Sequence, residues 1–194
     1  MKGPFDADQY ATPLTPEERA ALIPTHVTLR SELNELEQKN IAAADGWAFE
    51  RKRDVTDEAF LKSLHKRMFG DVWKWAGEYR TSDRNLGVKG HEISVAMHQA
   101  LGNAHTQIEH QAYERDELAV RFHHTLVSIH PFPNGNGRWS RLVGDLTVVE
   151  LDGERFTWGS TDLRDADEVR AAYVAALKVA DQHDFEDLIK FARS

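Results

Sequence analysis

Residues 129–141 read Ile-His-Pro-Phe-Pro-Asn-Gly-Asn-Gly-Arg-Trp-Ser-Arg and separate two stretches of helical periodicity. The first helix is predicted to begin at Asp116 and to stop at the two prolines, which cannot continue it. Gly135 and Gly137 allow a tight turn that aims consecutive N–H groups at one point. A second helix, predicted to run to about Leu151, begins directly afterwards, and its first N–H groups lack helical partners and carry partial positive charge. The stretch therefore predicts an anion-binding site.

Two arginines and one histidine make this site more specific. Arg138 and Arg141 are three residues apart, so they share one face of the first turn of the helix. Cations there oppose the helix dipole, and an anion bound between them reverses that unfavourable effect. His130 ends the preceding helix, and a neutral imidazole near pH 7 accepts a hydroxyl proton. The combination predicts transfer of a phosphate-linked group onto a hydroxyl.

Outward from this stretch, the chain is predominantly helical in pattern. We expect an all-α single domain over residues 1–194 with one small β-hairpin between about Trp75 and Val95, where glycines interrupt the periodicity. Its parts are an extended lead at 1–25, a long helix at 26–49 and a catalytic core at about 50–194. Further helices are predicted at Pro16–Ala21, from the N-cap Thr56 to Phe69, and at Ser94–Gln111, Asp167–Ala180 and Asp184–Arg193, with FTWGSTDL (156–163) as a linker.

Composition limits the setting in which this site works. The chain of 194 residues has a net charge of −8 and no cysteine. An acidic protein does not suit a long nucleic-acid track, so nucleic acid is not an expected partner. Cysteine is absent, no stretch has the roughly 20 apolar residues of a membrane span, and the N-terminus has no apolar signal region. We therefore expect a cytoplasmic protein without a membrane partner.

The segment 130–141 resembles the signature of the Fic family, H-x-F-x-(D/E)-G-N-G-R-x-x-R, at every fixed position but one. The segments WKWAGEYRTSDRNLGV (73–88) and RFHHTLVSIHPF (121–132) are also Fic-like. Nearly the whole chain, including LIPTH (22–26) and ELNELEQKNI (32–41), is similar to the small bacterial Fic group called mobile mystery protein B. The resemblance implies a Fic-type helical domain with a hairpin flap.

The resemblance also implies an activity and a role for each motif residue. A protein adenylyltransferase transfers AMP from ATP to a Ser, Thr or Tyr hydroxyl of a target protein, or of itself, and releases pyrophosphate. His130 is then the general base and Phe132 a buried anchor. Gly135, Asn136 and Gly137 form the anion hole. Arg138 and Arg141 hold the distal phosphates.

Asn134 departs from the signature, since most active Fic proteins carry a Mg²⁺-binding acid there. An amide oxygen is an uncharged, weaker ligand for a hard cation. Asn134 is therefore a weak nucleotide and metal position, and Mg²⁺ is expected to be held mainly by the phosphates and water. Trp139, beside this loop, is interpreted as a core aromatic, with stacking on a base as the alternative.

Two other segments have roles only by resemblance. The flap is expected to dock the target by strand-like pairing, and a plain surface hairpin is its alternative; its residues are Thr81, Ser82, Leu86, Gly87 and Val88. Many Fic proteins are restrained by a helix whose glutamate pairs with the second motif arginine, here Arg141. Glu37 is the first candidate and Glu35 the second, against the alternative of a solvated acidic face.

Three functions remain open on the sequence. Adenylyl transfer to a protein hydroxyl is the leading hypothesis. The same site also suits removal of AMP, or transfer of phosphate or another nucleotide moiety. A non-catalytic, nucleotide-sensing partner protein is the third, and it is favoured if Asn134 has abolished metal-assisted transfer.

Overall fold

In a computed structural model, residues 3–5, 13–160 and 166–194 are described. The chain folds into helices joined by short loops, with a 3₁₀ turn at Gly90–Glu92 before the fourth helix. The helices are α1 (Pro16–Ala20), α2 (Arg30–Phe49), α3 (Glu58–Phe69), α4 (Ile93–Glu109), α5 (Arg115–Ile129), α6 (Asn136–Glu150), α7 (Ala166–Ala180) and α8 (Glu186–Arg193).

The pair α5 and α6 lies at the centre, because the loop at 130–135 folds α6 back along α5. α2 and α3 pack together on one side, and α7 and α8 on the other. The larger core forms between α2, α3, α4 and the central pair. Its fully buried large side chains include Phe69, Trp73, Phe132 and Trp139. A second cluster lies under α7 and α8, around Trp158 and Leu188. The loop between α5 and α6 is therefore built on the largest core of the protein.

The all-α prediction is confirmed, and most helix bounds lie within two residues of their predicted positions. The long N-terminal helix begins at Arg30 rather than 26. Thr56 is not the N-cap of α3: Asp57 is, and its carboxylate accepts from the Ala59 N–H, while the Thr56 N–H and hydroxyl both donate to Asp54. A carboxylate one position closer to the helix satisfies the cap better than a hydroxyl already engaged elsewhere.

The predicted hairpin is a chain reversal without a strand ladder. The β-type pairing in the described residues is a single antiparallel bridge, between Leu22 and Trp73. No described helix is both long and apolar enough to cross a membrane. Part of the predicted 156–163 linker, residues 161–163, lies outside the described residues, as do 1–2 and 6–12 of the N-terminal lead.

Trp139 has the features of a core aromatic. It is fully buried, it packs edge-on against Phe132 at 4.9 Å, and its indole N–H donates to the Leu61 carbonyl at 3.1 Å. Every face of the indole is therefore occupied by protein. A base-stacking role is wrong for this side chain.

We expect Trp139→Phe to lower the free energy of unfolding by about 1–3 kcal/mol, because it removes one buried hydrogen bond and leaves a cavity. Urea denaturation measures this. Val149→Ala, at a partly exposed position of the same helix, is the matched control and should change the free energy by less than about 0.5 kcal/mol. Equal effects of the two substitutions would contradict the core assignment.

Candidate anion site between α5 and α6

His130 ends α5 in a left-handed backbone conformation, with φ 55° and ψ 58°. Residues other than glycine adopt it only uncommonly, although asparagine, aspartate and histidine do so more often than the rest, and contacts around His130 hold it in place. The ring Nδ1 lies 3.3 Å from the Val127 carbonyl oxygen. A carbonyl only accepts, so Nδ1 carries the proton. The unprotonated Nε2 is then the atom able to take a proton from a substrate.

Burial, together with the positive charges of Arg80 and Arg84, lowers the pKa of His130 to about 4, against the opposing effect of the bond to Val127. The imidazole is therefore neutral at pH 7. A neutral imidazole is the form that a general base requires.

Arg80 fixes the backbone of His130 from the flap side. Its side chain is buried, and its guanidinium donates to three carbonyl oxygens: His130 at 2.8 Å, Ser82 at 2.6 Å and Val88 at 2.6 Å. The main-chain N–H of Arg80 also donates to the carbonyl oxygen of Pro131 at 2.9 Å. One side chain therefore joins both arms of the flap to the residue that bears the candidate base.

Gly87 brings the flap against that residue. Its φ is +86°, and a Cβ added there would lie 2.5 Å from the Cβ of His130 and 2.6 Å from the Ile129 carbonyl oxygen. Only glycine fits this conformation and this approach. Val88 next to it donates its N–H to the Ile129 carbonyl at 3.2 Å. Of the predicted docking residues, Gly87 and Val88 touch the end of α5, while Leu86 is half exposed.

Asn136 closes the loop between His130 and α6. Its buried amide accepts from the Phe132 N–H at 2.9 Å and donates to the Phe132 carbonyl at 2.8 Å. Phe132 itself is fully buried, as predicted for the anchor. The side chain of Asn136 therefore shapes the loop, which leaves only its main-chain N–H for an anion.

His65, on α3, joins the same loop to Gly77 through the two nitrogens of its ring. Its Nδ1 accepts from the Gly77 N–H at 3.0 Å, so Nε2 carries the proton and donates to the Asn134 carbonyl at 3.0 Å. The ring stacks on Phe132 at 3.7 Å. Burial lowers the pKa of His65 to about 3, so this double contact persists at neutral pH.

The N-terminus of α6 is the predicted anion hole, and its main-chain N–H groups have no side-chain cap. Gly135 has a φ of 80°, and a Cβ there would lie 2.5 Å from the Phe69 ring. α6 has no side-chain cap, so the N–H groups of residues 136–138 lack both helical and capping partners. The Gly135 N–H is used locally, since it donates to Asn134 Oδ1 at 2.6 Å. Of the predicted hole, Asn136 and Gly137 therefore keep N–H groups open to an anion, the N–H of Arg138 joins them, and that of Gly135 does not.

Arg138 is held by a buried glutamate of α2. Glu37 is only 3% exposed, and its Oε2 lies 2.8 Å from the Arg138 guanidinium. Its other oxygen accepts from the Trp73 indole at 2.8 Å. Glu35 is on the exposed side of the helix. The structure thus brings Glu37, and not Glu35, to the motif.

The expected pairing of that glutamate with Arg141 is wrong, since Glu37 pairs with Arg138. The side chain of Arg141, the second motif arginine, is turned towards α7: its Nε donates to the Gly137 carbonyl at 3.1 Å, and its guanidinium carbon is 5.4 Å from the centre of the Tyr173 ring. The Tyr173 hydroxyl is hydrogen-bonded to the buried His123 at 3.1 Å. α7 occupies the side of Arg141 that the sequence hypothesis left to a glutamate, and α2 approaches from the side of Arg138.

Asn134 stands at the position where the signature has a Mg²⁺-binding acid. The amide oxygen of Asn134 is engaged with the Gly135 N–H. Within 3–5, 13–160 and 166–194, no group of three His, Cys, Asp or Glu side chains is arranged to hold a metal ion.

Four residues at the site escaped sequence reasoning. Arg80 and His65 sit inside segments that read as a loop and as an apolar helix face, and Tyr173 lies in a helix far along the chain. Glu18, on α1, contacts the flap from the N-terminal lead. The signature itself marks none of them, because each reaches the site only through tertiary packing. The sequence shows only that Arg80 lies between two glycines of the flap, Gly77 and Gly87.

The sequence model of the Fic/DOC family matches residues 55–148. Proteins named protein adenylyltransferase Fic from Drosophila melanogaster and Drosophila sechellia are 28% identical to this chain over 151 residues, which is 73% of this chain and 28% of theirs. The chain thus spans less than a third of the length of these relatives.

Solved structures share the fold. The BepC protein of Bartonella tribocorum, with bound AMPPNP, matches with a TM-score of 0.68 and 16% identity, over 92% of this chain and 97% of that one. Fic-1 from C. elegans matches with a TM-score of 0.68 and 20% identity, over 90% of this chain and 51% of that one. At these identities the likeness establishes the fold alone.

We expect Arg80→Lys to release the His130 carbonyl, because an ammonium cannot reach three carbonyls in the fork geometry of a guanidinium. The ring then loses its fixed bond to Val127, and ¹⁵N shifts of the imidazole should change from one tautomer to a mixture. Arg84→Lys keeps the same charge near His130 without touching its carbonyl and is the matched control. A single unchanged tautomer in folded Arg80→Lys would refute this positioning role.

Proposed function

Because this chain belongs to the Fic/DOC family through its residues 55–148, we propose that it is an adenylyltransferase that transfers AMP from ATP to a hydroxyl of a protein. The observation that carries the proposal is the pairing of His130, with its unprotonated Nε2, with the open N-terminus of α6 across one closed loop. A base and an anion hole on the two sides of one loop suit attack of a hydroxyl on a phosphate. The names of the curated relatives support the same activity.

The proposed reaction follows from these positions. His130 Nε2 takes the proton of a Ser, Thr or Tyr hydroxyl of the target. The oxygen attacks the α-phosphorus of ATP, the new O–P bond forms, and the bond to the bridging oxygen breaks, so pyrophosphate leaves with its electron pair. The N–H groups of residues 136–138 bind the charge that grows on the phosphate oxygens. The imidazolium then returns its proton to solvent.

The arginines and the metal have distinct proposed roles. Arg141, beside Gly137, holds the distal phosphates, and Arg138 joins it once Glu37 has released its guanidinium. We propose that any Mg²⁺ is held by phosphate oxygens and water, since Asn134 offers no charged ligand and its amide oxygen is engaged. The single domain over 1–194 and a cytoplasmic location also remain proposals, the latter supported by the absence of cysteine.

Glu37 is the proposed brake. Its buried ion pair with Arg138 occupies a guanidinium that the phosphates need. Breaking the pair without ATP leaves a buried charge uncompensated, which is costly, so the resting chain favours the closed arrangement. ATP must therefore compete with a carboxylate that is already in place.

His130→Ala should lower transfer by about 10²–10⁴-fold, the usual loss on removal of a general base, while ATP binding changes little. Label from [α-³²P]ATP on lysate proteins measures transfer, and calorimetry measures binding. His124→Ala, the neighbouring histidine that pairs with Asp181 away from the loop, is the control. Wild-type transfer in His130→Ala would exclude this mechanism.

The position of the label separates adenylyl transfer from the alternative reactions. We expect [α-³²P]ATP to label protein and [γ-³²P]ATP to leave it unlabelled, because the γ-phosphate departs in pyrophosphate. The readout is autoradiography of the same lysate with each nucleotide. Label from the γ-position would establish phosphate transfer. Label from neither position would exclude transfer from ATP and leave AMP removal, transfer from another nucleotide and the non-catalytic reading.

Glu37→Gln should tighten ATP binding by about tenfold, since it removes the charge that competes for Arg138 and retains an acceptor for the Trp73 indole. Glu35→Gln, on the exposed side of the same helix, should bind ATP as the wild type does. Calorimetric titration of both variants tests the brake. Unchanged affinity in a folded Glu37→Gln protein would show that the ion pair only braces α2.

A further inference from the structure

A second carboxylate–arginine contact lies on the flap, outside the signature loop. Glu18 of α1 binds two flap side chains at once: its Oε1 accepts from the Ser82 hydroxyl at 3.0 Å, and its Oε2 pairs with the Arg84 guanidinium. Both charged side chains are largely buried, with 7% of Arg84 and 14% of Glu18 exposed. The contact is therefore a built pocket for one carboxylate and not a surface ion pair.

Arg84 has unused binding capacity in this pocket. Its Nε is buried and, among the residues that the structure describes, has no hydrogen-bond partner. Ser82 of the pocket is joined to His130 through Arg80, whose guanidinium donates to the carbonyl oxygens of both residues. The pocket thus lies beside the candidate base, where a target segment must pass, and a guanidinium with an unsatisfied N–H favours an anionic partner.

Helix capping alone does not explain Glu18. Its Oε2 also accepts from the Thr15 N–H at 2.8 Å, which completes the capping box of α1. That box requires only Thr15 and Glu18. Ser82 and Arg84 add nothing to it, and burial of Arg84 against a five-residue helix costs desolvation that a cap does not need.

α1 is also lightly attached. It has five residues and none of them is buried. Besides the contacts of the Glu18 side chain, a main-chain contact holds α1: the carbonyl oxygen of Glu18 accepts from the Trp75 indole N–H at 3.1 Å. The chain after α1 is held separately, by main-chain bonds of Ala21 and Ile23 to residues 74 and 72. α1 can therefore leave the flap while the following segment stays in place.

We propose that Ser82 and Arg84 form a carboxylate-binding site on the flap, which Glu18 fills in the resting chain and an acidic side chain of the target fills during transfer. The inference rests on the proposed function, because it describes the protein substrate of that activity. It makes the substrate a segment with Asp or Glu near the modified hydroxyl. It also makes α1 an internal competitor for the target.

The test measures peptide binding in a His130→Ala background without ATP, so that catalysis plays no part. The probes are short fluorescein-labelled peptides with one serine and a single glutamate moved from position to position, each with a glutamine twin. In Glu18→Gln protein, at least one register should bind about tenfold more tightly than its twin. The preference should shrink in the parent protein and vanish when Arg84→Gln is added.

Glu17→Gln is the matched control, because Glu17 lies on the same short helix with its side chain exposed; it should bind peptides as the parent does. Circular dichroism melts confirm that each variant is folded. The site is refuted if no register separates glutamate from glutamine, or if folded Arg84→Gln keeps the preference. If peptides bind with a charge preference but the protein with His130 intact never labels a target from ATP, the carboxylate site stands and the proposed transferase activity is wrong. Labelling with no charge preference would do the reverse.

Discussion

The buried amide of Asn136 satisfies both main-chain groups of Phe132, and this pair of hydrogen bonds holds the loop between α5 and α6 closed. A loop of this kind inside a core is costly unless its polar groups are paired. Phe132 fixes the loop to the core, and His65 donates to the Asn134 carbonyl. With the loop fixed in this way, the base and the open helix end are preorganised.

Two arginines near this closed loop are each paired with a glutamate from another part of the chain. Arg138 is paired with Glu37 of α2, and Arg84 with Glu18 of α1. Each acid comes from the N-terminal part of the chain, and each occupies an arginine that the proposed reaction needs for something else. An acidic protein can thus keep a phosphate site intact and restrained by the same set of ion pairs. Under the two proposals, the first pair competes with nucleotide and the second with the target.

The local part of this arrangement was readable from the sequence. The sequence places His130, Gly135, Gly137 and the two motif arginines close together along the chain, so their spacing alone predicted an anion site beside a base. The helix pattern likewise predicted the all-α fold. Glu37 was the preferred glutamate, and the structure places it, rather than the exposed Glu35, against the motif.

Other features depended on packing that no spacing records. The choice of Arg138 over Arg141 follows from the side on which α2 and α7 approach α6. The flap lacks a strand ladder because the Arg80 guanidinium binds the carbonyls of both arms. A single side chain that replaces several main-chain bonds leaves no alternating pattern in the sequence. The sequence likewise gives no indication of the role of His65, since a neutral buried histidine on a helix fits the pattern of any core residue.

The central claim is that the N-terminus of α6 binds the phosphates of ATP and that Glu37 competes for them. Amide chemical shifts followed during titration with a non-hydrolysable ATP analogue test it most directly. The account predicts that the largest shifts fall on Asn136, Gly137 and Arg138, and that the Trp73 indole N–H shifts with them as its carboxylate partner is released. Saturating binding that leaves these four N–H groups unmoved would contradict it.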